Sequence, residues 1–288
     1  MRIKLSLFLL LNIYMSSLLF SAEPPSVFVA LEDSLRTIKS EIPQAQYDFE
    51  KLSLNEKFKN LFCETLQKEG ALDYPFDSLE TVSILAAPDN SFRIITWYIT
   101  LLEGEFEYYG IFQVRDDRKD DILIYHLKDT EHSPDELKYL QLSHEDWYGM
   151  YYYEIIHNRY KREDYYTLLG WRADNPLTRK RIIEPFRLGG NFRPVFGIPQ
   201  FTYDDNKYKR VVFEYSAKVS MSLKYDKQYI QGSRRPKEMI VFDRLAPSHQ
   251  RLKGHYQFYF PETNVFDAFI FEDGRWVFIE EIDARNPD

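Results

Sequence analysis

Between Val27 and Ile42 the apolar side chains return every three or four positions: Val27 and Phe28, then Leu31, Leu35, Ile38 and Ile42. That spacing puts them on one face of a helix, with Ser26 placed to cap its start and Pro43 to stop it. A second helical pattern sets Phe58, Leu61, Phe62 and Leu66 on one side. Ser53-Leu54-Asn55-Glu56 reads as its capping box and Gly70 as its terminal glycine. Both helices have one apolar face, which predicts a sheet beneath them.

From Leu79 onward the apolar period falls from about 3.6 to about 2. Runs at 81–87, 92–99, 106–115 and 121–128 are separated by turn residues such as Pro88-Asp89-Asn90 and Glu103-Gly104, which predicts antiparallel hairpins. The stretch 129–147 is polar, fits a helix only over 134–142, and is the best candidate for an internal boundary. Strand patterns resume at 148–160 and 165–172. They continue at 210–216, 219–226, 239–245, 256–260, 266–271 and 276–282, with Asp273-Gly274 as a strong hairpin turn. The stretch 165–201, a strand ending at 171–176 followed by a basic cluster and Gly/Pro turns, reads as a hinge of the fold. No fixed internal period is present.

The predicted fold class is mainly β (α+β): many short antiparallel strands forming a sandwich, a barrel or propeller-like sheets, with two N-terminal helices. The predicted organisation is a helical segment at 23–78 packing on the sheet and a β-rich domain at 79–288. Composition agrees, because 22 Tyr and 22 Phe against 11 Gly favour pleated, half-buried surfaces.

The first residues add a compartment. Arg2 and Lys4 precede an apolar run, Leu5 to Phe20, which ends in Ser21-Ala22 before Pro24-Pro25. This is the pattern of a secretory signal peptide at 1–22, and the run is shorter than the roughly 20 residues a spanning helix needs. The expectation is an exported protein, periplasmic or extracellular, with no stable membrane span after cleavage. The formal charge of −8 becomes more negative once the leader's two basic residues are lost, so nucleic acid is not an expected partner. With Cys63 the single cysteine, no intrachain disulfide can form, and stability must come from the core.

Several phrases together carry a resemblance: LLGW at 168–171, PVFGIPQF at 194–201, RVVFEYSA at 210–217, MSLKYD at 221–226 and IVFDRLAP at 240–247. They resemble a family of exported, β-rich proteins of Gram-negative bacteria, over the span 76–285. The resemblance implies compartment and fold style and brings no assigned activity. This chain departs from the family pattern at Arg244, where a histidine is usual, and at Glu262-Thr263-Asn264, where an Asp-Gly-Ser type of turn is usual.

The sequence has no GxSxG elbow, no phosphate-cradling GxxxxGK[ST] and no HExxH, and its six histidines are scattered; no cofactor and no metal is predicted. Two carboxylates break local rules. Asp243 inside IVFDRL and Asp267 inside NVFDAFIF lie in strand patterns that disfavour Asp, so each needs a buried partner or a site to line. Trp171, Arg172 and Asp174 end one strand with an aromatic, a cation and an Asx-type turn, a combination able to bind a sugar or peptide ligand; the alternative reading is Trp171 in the core and Asp174-Asn175-Pro176 as simply a turn. The run Tyr151-Tyr152-Tyr153 reads first as strand packing and second as a stacking platform, and Arg179, Lys180 and Arg181 read as a solvated face. The functional expectation is a non-catalytic binding or structural module with a glycan or peptide ligand of the envelope. The alternative is a hydrolase of envelope or extracellular polysaccharide or peptide that uses Asp243 and Asp267 beside Trp171.

Overall fold

The computed structural model describes residues 26–119, 121–202, 208–229 and 235–282. The leader expected at 1–22 lies outside them. Helix α1 (Ser26–Glu41) ends in a single 3₁₀ turn at Pro43, as its stop signal predicts. Helix α2 (Asp48–Leu66) starts ahead of the predicted capping box. Glu50 does the capping instead, its carboxylate accepting the backbone N–H groups of Gln46 and Tyr47 at 3.1 and 3.3 Å. Asn55, read as part of that box, is buried and accepts the indole N–H of Trp97 at 2.8 Å. Gly70 does take a left-handed conformation (φ 81°), just beyond the helix end.

The mainly β reading holds. Fourteen strands among the described residues form three antiparallel sheets. The first is a meander of β1 (Ser83–Ala86), β2 (Phe92–Thr100), β3 (Phe106–Asp116) and β4 (Asp121–Leu127). A crossing segment with the short helix α3 (Pro134–Leu137) leads to the second sheet, ordered β5-β9-β8-β7-β6. Its members are β5 (Leu142–Ser143), β6 (Tyr151–Tyr160), β7 (Glu163–Arg172), β8 (Thr178–Leu188) and β9 (Pro194–Phe196), with β10 (Val211–Ser216) also pairing β8. The third is a meander of β11 (Leu223–Gln228), β12 (Lys237–Pro247), β13 (Tyr259–Glu272) and β14 (Arg275–Ile282). Asp273 and Gly274, at φ 52° and 80°, make the predicted turn between the last two.

Strand β8 is the main difference from the sequence reading, because it runs through the segment read as a hinge. Pro185 is tolerated inside it because β10 pairs β8 up to Ile183 and β9 pairs it from Phe186. At the gap no ladder donor is required, and the Pro185 carbonyl accepts the N–H groups of Gly197 and Ile198 at 2.8 and 3.2 Å.

The layers stack. Phe28, Leu35, Phe58 and Phe62 of the helices bury Ile95, Trp97 and Ile111 of the first sheet. Its other face, with Ile94, Phe112 and Val114, packs on Leu168, Ile182 and Phe186 of the second. The second sheet then covers Ile240, Phe242, Phe269 and Trp276 of the third with Ile156, Leu169 and Ile183. Neighbours such as Leu168 and Leu169 therefore serve different cores, which is how a strand buried on both faces loses polar alternation. At the helix end, Gln113 donates to the Leu66 carbonyl at 2.6 Å, and buried Arg93 donates to Gln113 and to the Tyr74 and Ala71 carbonyls. The first of these satisfies an acceptor that the helix terminus would leave open, and the bonds to Tyr74 and Ala71 tie down the 3₁₀ turn that follows it.

Candidate functional site

Strand β1 is short. It pairs β2 only as far as Ser83 opposite Thr96, so among the described residues no strand lies beside one edge of β2 from Trp97 onward. Two lysines from the helical layer close that edge. Lys39 of α1 donates to the Tyr98 carbonyl at 3.2 Å and Lys51 of α2 to the Thr100 carbonyl at 2.8 Å. No carboxylate pairs with either ammonium among the described residues. Burial alone pushes the Lys39 amine down to about 8.

The gap between this edge and the second sheet is a cleft of about 1310 Å³. Tyr98, Tyr151, Tyr153 and Trp171 give it an aromatic wall, and Arg181 a further cation. The Trp171 ring lies 5.5 Å from Tyr98 and 5.6 Å from Phe106, while Tyr151 meets Tyr98 at 5.8 Å. The Arg181 guanidinium sits 5.0 Å from the Tyr153 ring, and its Nε is buried without a hydrogen bond among the described residues. Asp77 and Glu80 also line the cleft, both exposed, and Arg36 there is paired with Asp33 at 2.8 Å. Concave aromatic surface beside incompletely paired polar groups is the usual make-up of a ligand site.

The chain matches no protein-family model, no curated protein and no solved structure.

The three residues read as one ligand site divide. Trp171 faces the cleft, whereas Arg172 is buried behind it and holds Asp174, which keeps access to solvent. The Arg172 guanidinium lies between the rings of Tyr108 and Tyr148, at 4.7 and 4.4 Å. It donates to both Asp129 oxygens at 2.9 Å, to Asp174 and to the Gly149 carbonyl. Asp174 also accepts from Lys180 and, at 3.0 Å, from the Tyr148 hydroxyl. Burial by itself pushes the Asp174 carboxyl up, but Arg172 and Lys180 together outweigh it and hold it below the usual carboxylate range. With their hydrogen-bonding groups engaged in this way, Arg172 and Asp174 cross-link the turn after β7 to the segment that joins the sheets. Lys180 is buried here rather than on a solvated face, because β8 is a central strand.

Asp243 and Asp267 do share a pocket, a separate one of about 300 Å³ between the second and third sheets. Trp171 does not line it. Arg244 grips Asp267 through two hydrogen bonds, at 3.0 and 2.5 Å, and the Glu281 N–H adds a third at 3.0 Å. Asp243 accepts the Ser222 N–H at 2.7 Å, and its carboxyl is pushed up by burial. Both residues sit at register shifts in their strands, which lets a carboxylate stand where a regular ladder would not accommodate it.

Lys39, Lys51 and Tyr98 carried no signal in the chain. A lysine beside the apolar face of an amphipathic helix is ordinarily solvated, and only the shortness of β1 turns these two inward. Tyr151 and Tyr153, in a run read first as strand packing and second as a stacking platform, both line the cleft. Tyr152 between them points into the core, where its hydroxyl donates to Glu184.

Proposed function

We propose that this chain is an exported, non-catalytic binding module, and that its ligand is a glycan or peptide of the cell envelope bound in the cleft at Trp171. One observation carries the reading: an aromatic wall and two lysines without counter-charges among the described residues line the same large cleft. Aromatic faces stack on apolar ligand surfaces, and incompletely paired cations attract a ligand's polar groups. The signal-peptide pattern and the family resemblance support the exported address. The test is a thermal-shift screen of the leaderless protein against envelope glycans, peptidoglycan fragments and peptides. A hit that stabilises the wild type and not Trp171→Ala is expected, and a flat screen overturns the reading.

A specific observation also supports the hydrolase alternative. Asp243 and Asp267 line one pocket, with the Asp243 carboxyl pushed up by burial, as a general acid requires, and Asp267 held by Arg244. Turnover of an envelope polysaccharide or peptide that Asp243→Asn abolishes would establish it. Unchanged turnover in that variant removes Asp243 from any mechanism.

A further inference from the structure

We infer that the ligand of the cleft is an acidic oligosaccharide, with its anionic groups against Lys39 and Lys51 and its sugar rings on Trp171 and the neighbouring tyrosines. This rests on the binding reading above.

Charge comes first. The chain carries a formal charge of −8, yet Lys39, Lys51 and Arg181 line one cleft, and the two carboxylates there, Asp77 and Glu80, are exposed. A cation drawn out of water is unfavourable unless an anion joins it. Each lysine has only a neutral carbonyl from β2 as its hydrogen-bond acceptor among the described residues. Arg181 has a buried Nε–H with no hydrogen-bond partner among the described residues. The missing partner is an anion, and the cleft is the side from which it can arrive.

Shape narrows the class. An unpaired strand edge ordinarily recruits an extended peptide as one more strand. Here the acceptors of that edge, the carbonyls of Tyr98 and Thr100, are already taken by the lysine ammoniums. A peptide cannot add as a strand without displacing both. A sugar needs no such edge: it binds through ring faces and through acidic substituents at its margin, and the cleft offers four aromatic side chains for the former.

Proton linkage gives an independent readout. The Lys39 amine titrates at about 8, and an anion placed beside it raises that value. The other charged groups lining the cleft are Arg36 beside it on α1, Lys51 from α2, Asp77 and Glu80 from the loop before β1, and Arg181 from β8. The phenols come from Tyr98, Tyr151 and Tyr153, and burial pushes those of Tyr151 and Tyr153 up, so neither titrates near pH 8. Binding at pH 8 is therefore expected to take up a fraction of a proton, up to about half, at Lys39.

The experiment is calorimetric titration of the leaderless protein at pH 8 in two buffers of different ionisation enthalpy. The probes are hexamers of galacturonate, alginate and hyaluronan, a sulfated hexamer, the methyl ester of the galacturonate hexamer, and hexaglutamate. The expected result is binding of at least one acidic hexamer with proton uptake. The ester, Lys39→Met and Lys51→Met should each bind about tenfold more weakly. Lys39→Arg should restore affinity without the proton uptake, and melting curves verify that each variant is folded. The sulfated arm tells whether carboxylate or sulfate is preferred. Equal binding of acid and ester overturns the acidic assignment and leaves the binding reading standing. Tighter binding of hexaglutamate overturns it in favour of an acidic peptide. No binding by any probe overturns the inference, and a flat thermal-shift screen alongside it overturns the binding reading too.

Discussion

Glu184 and Arg210 meet at 2.7 Å with neither side chain exposed to solvent. Around them, Trp147 donates to the Tyr152 hydroxyl at 3.0 Å, Tyr152 donates to Glu184, and Arg210 donates to the Leu137 and Leu140 carbonyls. This chain of bonds fastens the segment around α3 to the middle of the second sheet. Removing one partner strands a buried charge, so Glu184→Leu or Arg210→Met should each cost about 3–5 kcal/mol. The double replacement should cost clearly less than the sum, which urea unfolding of the three variants will measure.

Gly149 is required by close approach rather than by its backbone angle. A Cβ there would lie 2.4 Å from the Asp129 carboxyl carbon, and that carboxylate holds Arg172. Gly149→Ala should destabilise the protein by about 1–3 kcal/mol through overpacking. Gly190→Ala, which meets open space, should leave the urea midpoint nearly unchanged.

Acid should loosen the network at Asp174. The folded carboxyl titrates below its ordinary value of 3.8, so its stabilising contribution is complete above that pH and is lost as the pH falls through the folded value. Thermal melts from pH 6 to pH 2 should therefore show a steeper acid decline in the wild type than in Asp174→Asn. The variant should already be less stable at pH 6, because Arg172 and Lys180 lose a charged acceptor.

Asp243 has the opposite sign. Burial raises its folded value, so its contribution is greatest below 3.8 and falls away as the pH rises through the folded value. At pH 7 the ionised side chain is a net cost, and Asp243→Asn, which can still accept the Ser222 N–H, should be neutral or slightly stabilising, by up to about 1 kcal/mol. A loss of stability in thermal melts at pH 7 would refute this assignment.

Much of the fold was legible because it is local. The helices, most strands and the Asp273-Gly274 turn follow from neighbours a few positions apart. Strand β8 was hidden because Arg179, Lys180 and Arg181 interrupt the apolar alternation at its start, and Pro185 falls in its interior. Of the candidate site, Trp171 is legible from its place at a strand end beside a cation and a turn, and the run Tyr151-Tyr152-Tyr153 reads first as strand packing and second as a stacking platform. Arg172 and Asp174 have the composition of a ligand site, but partners distant in the chain, such as Asp129, occupy them.

The sequence by itself determined the periods: which segments are helical, which are extended, where several of them turn, and that no disulfide supports them. Those properties arise from side-chain spacing and backbone preference within one segment. Only the tertiary structure decided that three sheets stack with the middle one buried on both faces, and that the edge of β2 stops short of a partner. Lys39 and Tyr98 lie 59 positions apart. Their contact exists because the layers bring them together, and no local pattern encodes which side of a lysine will meet water and which will meet an open strand.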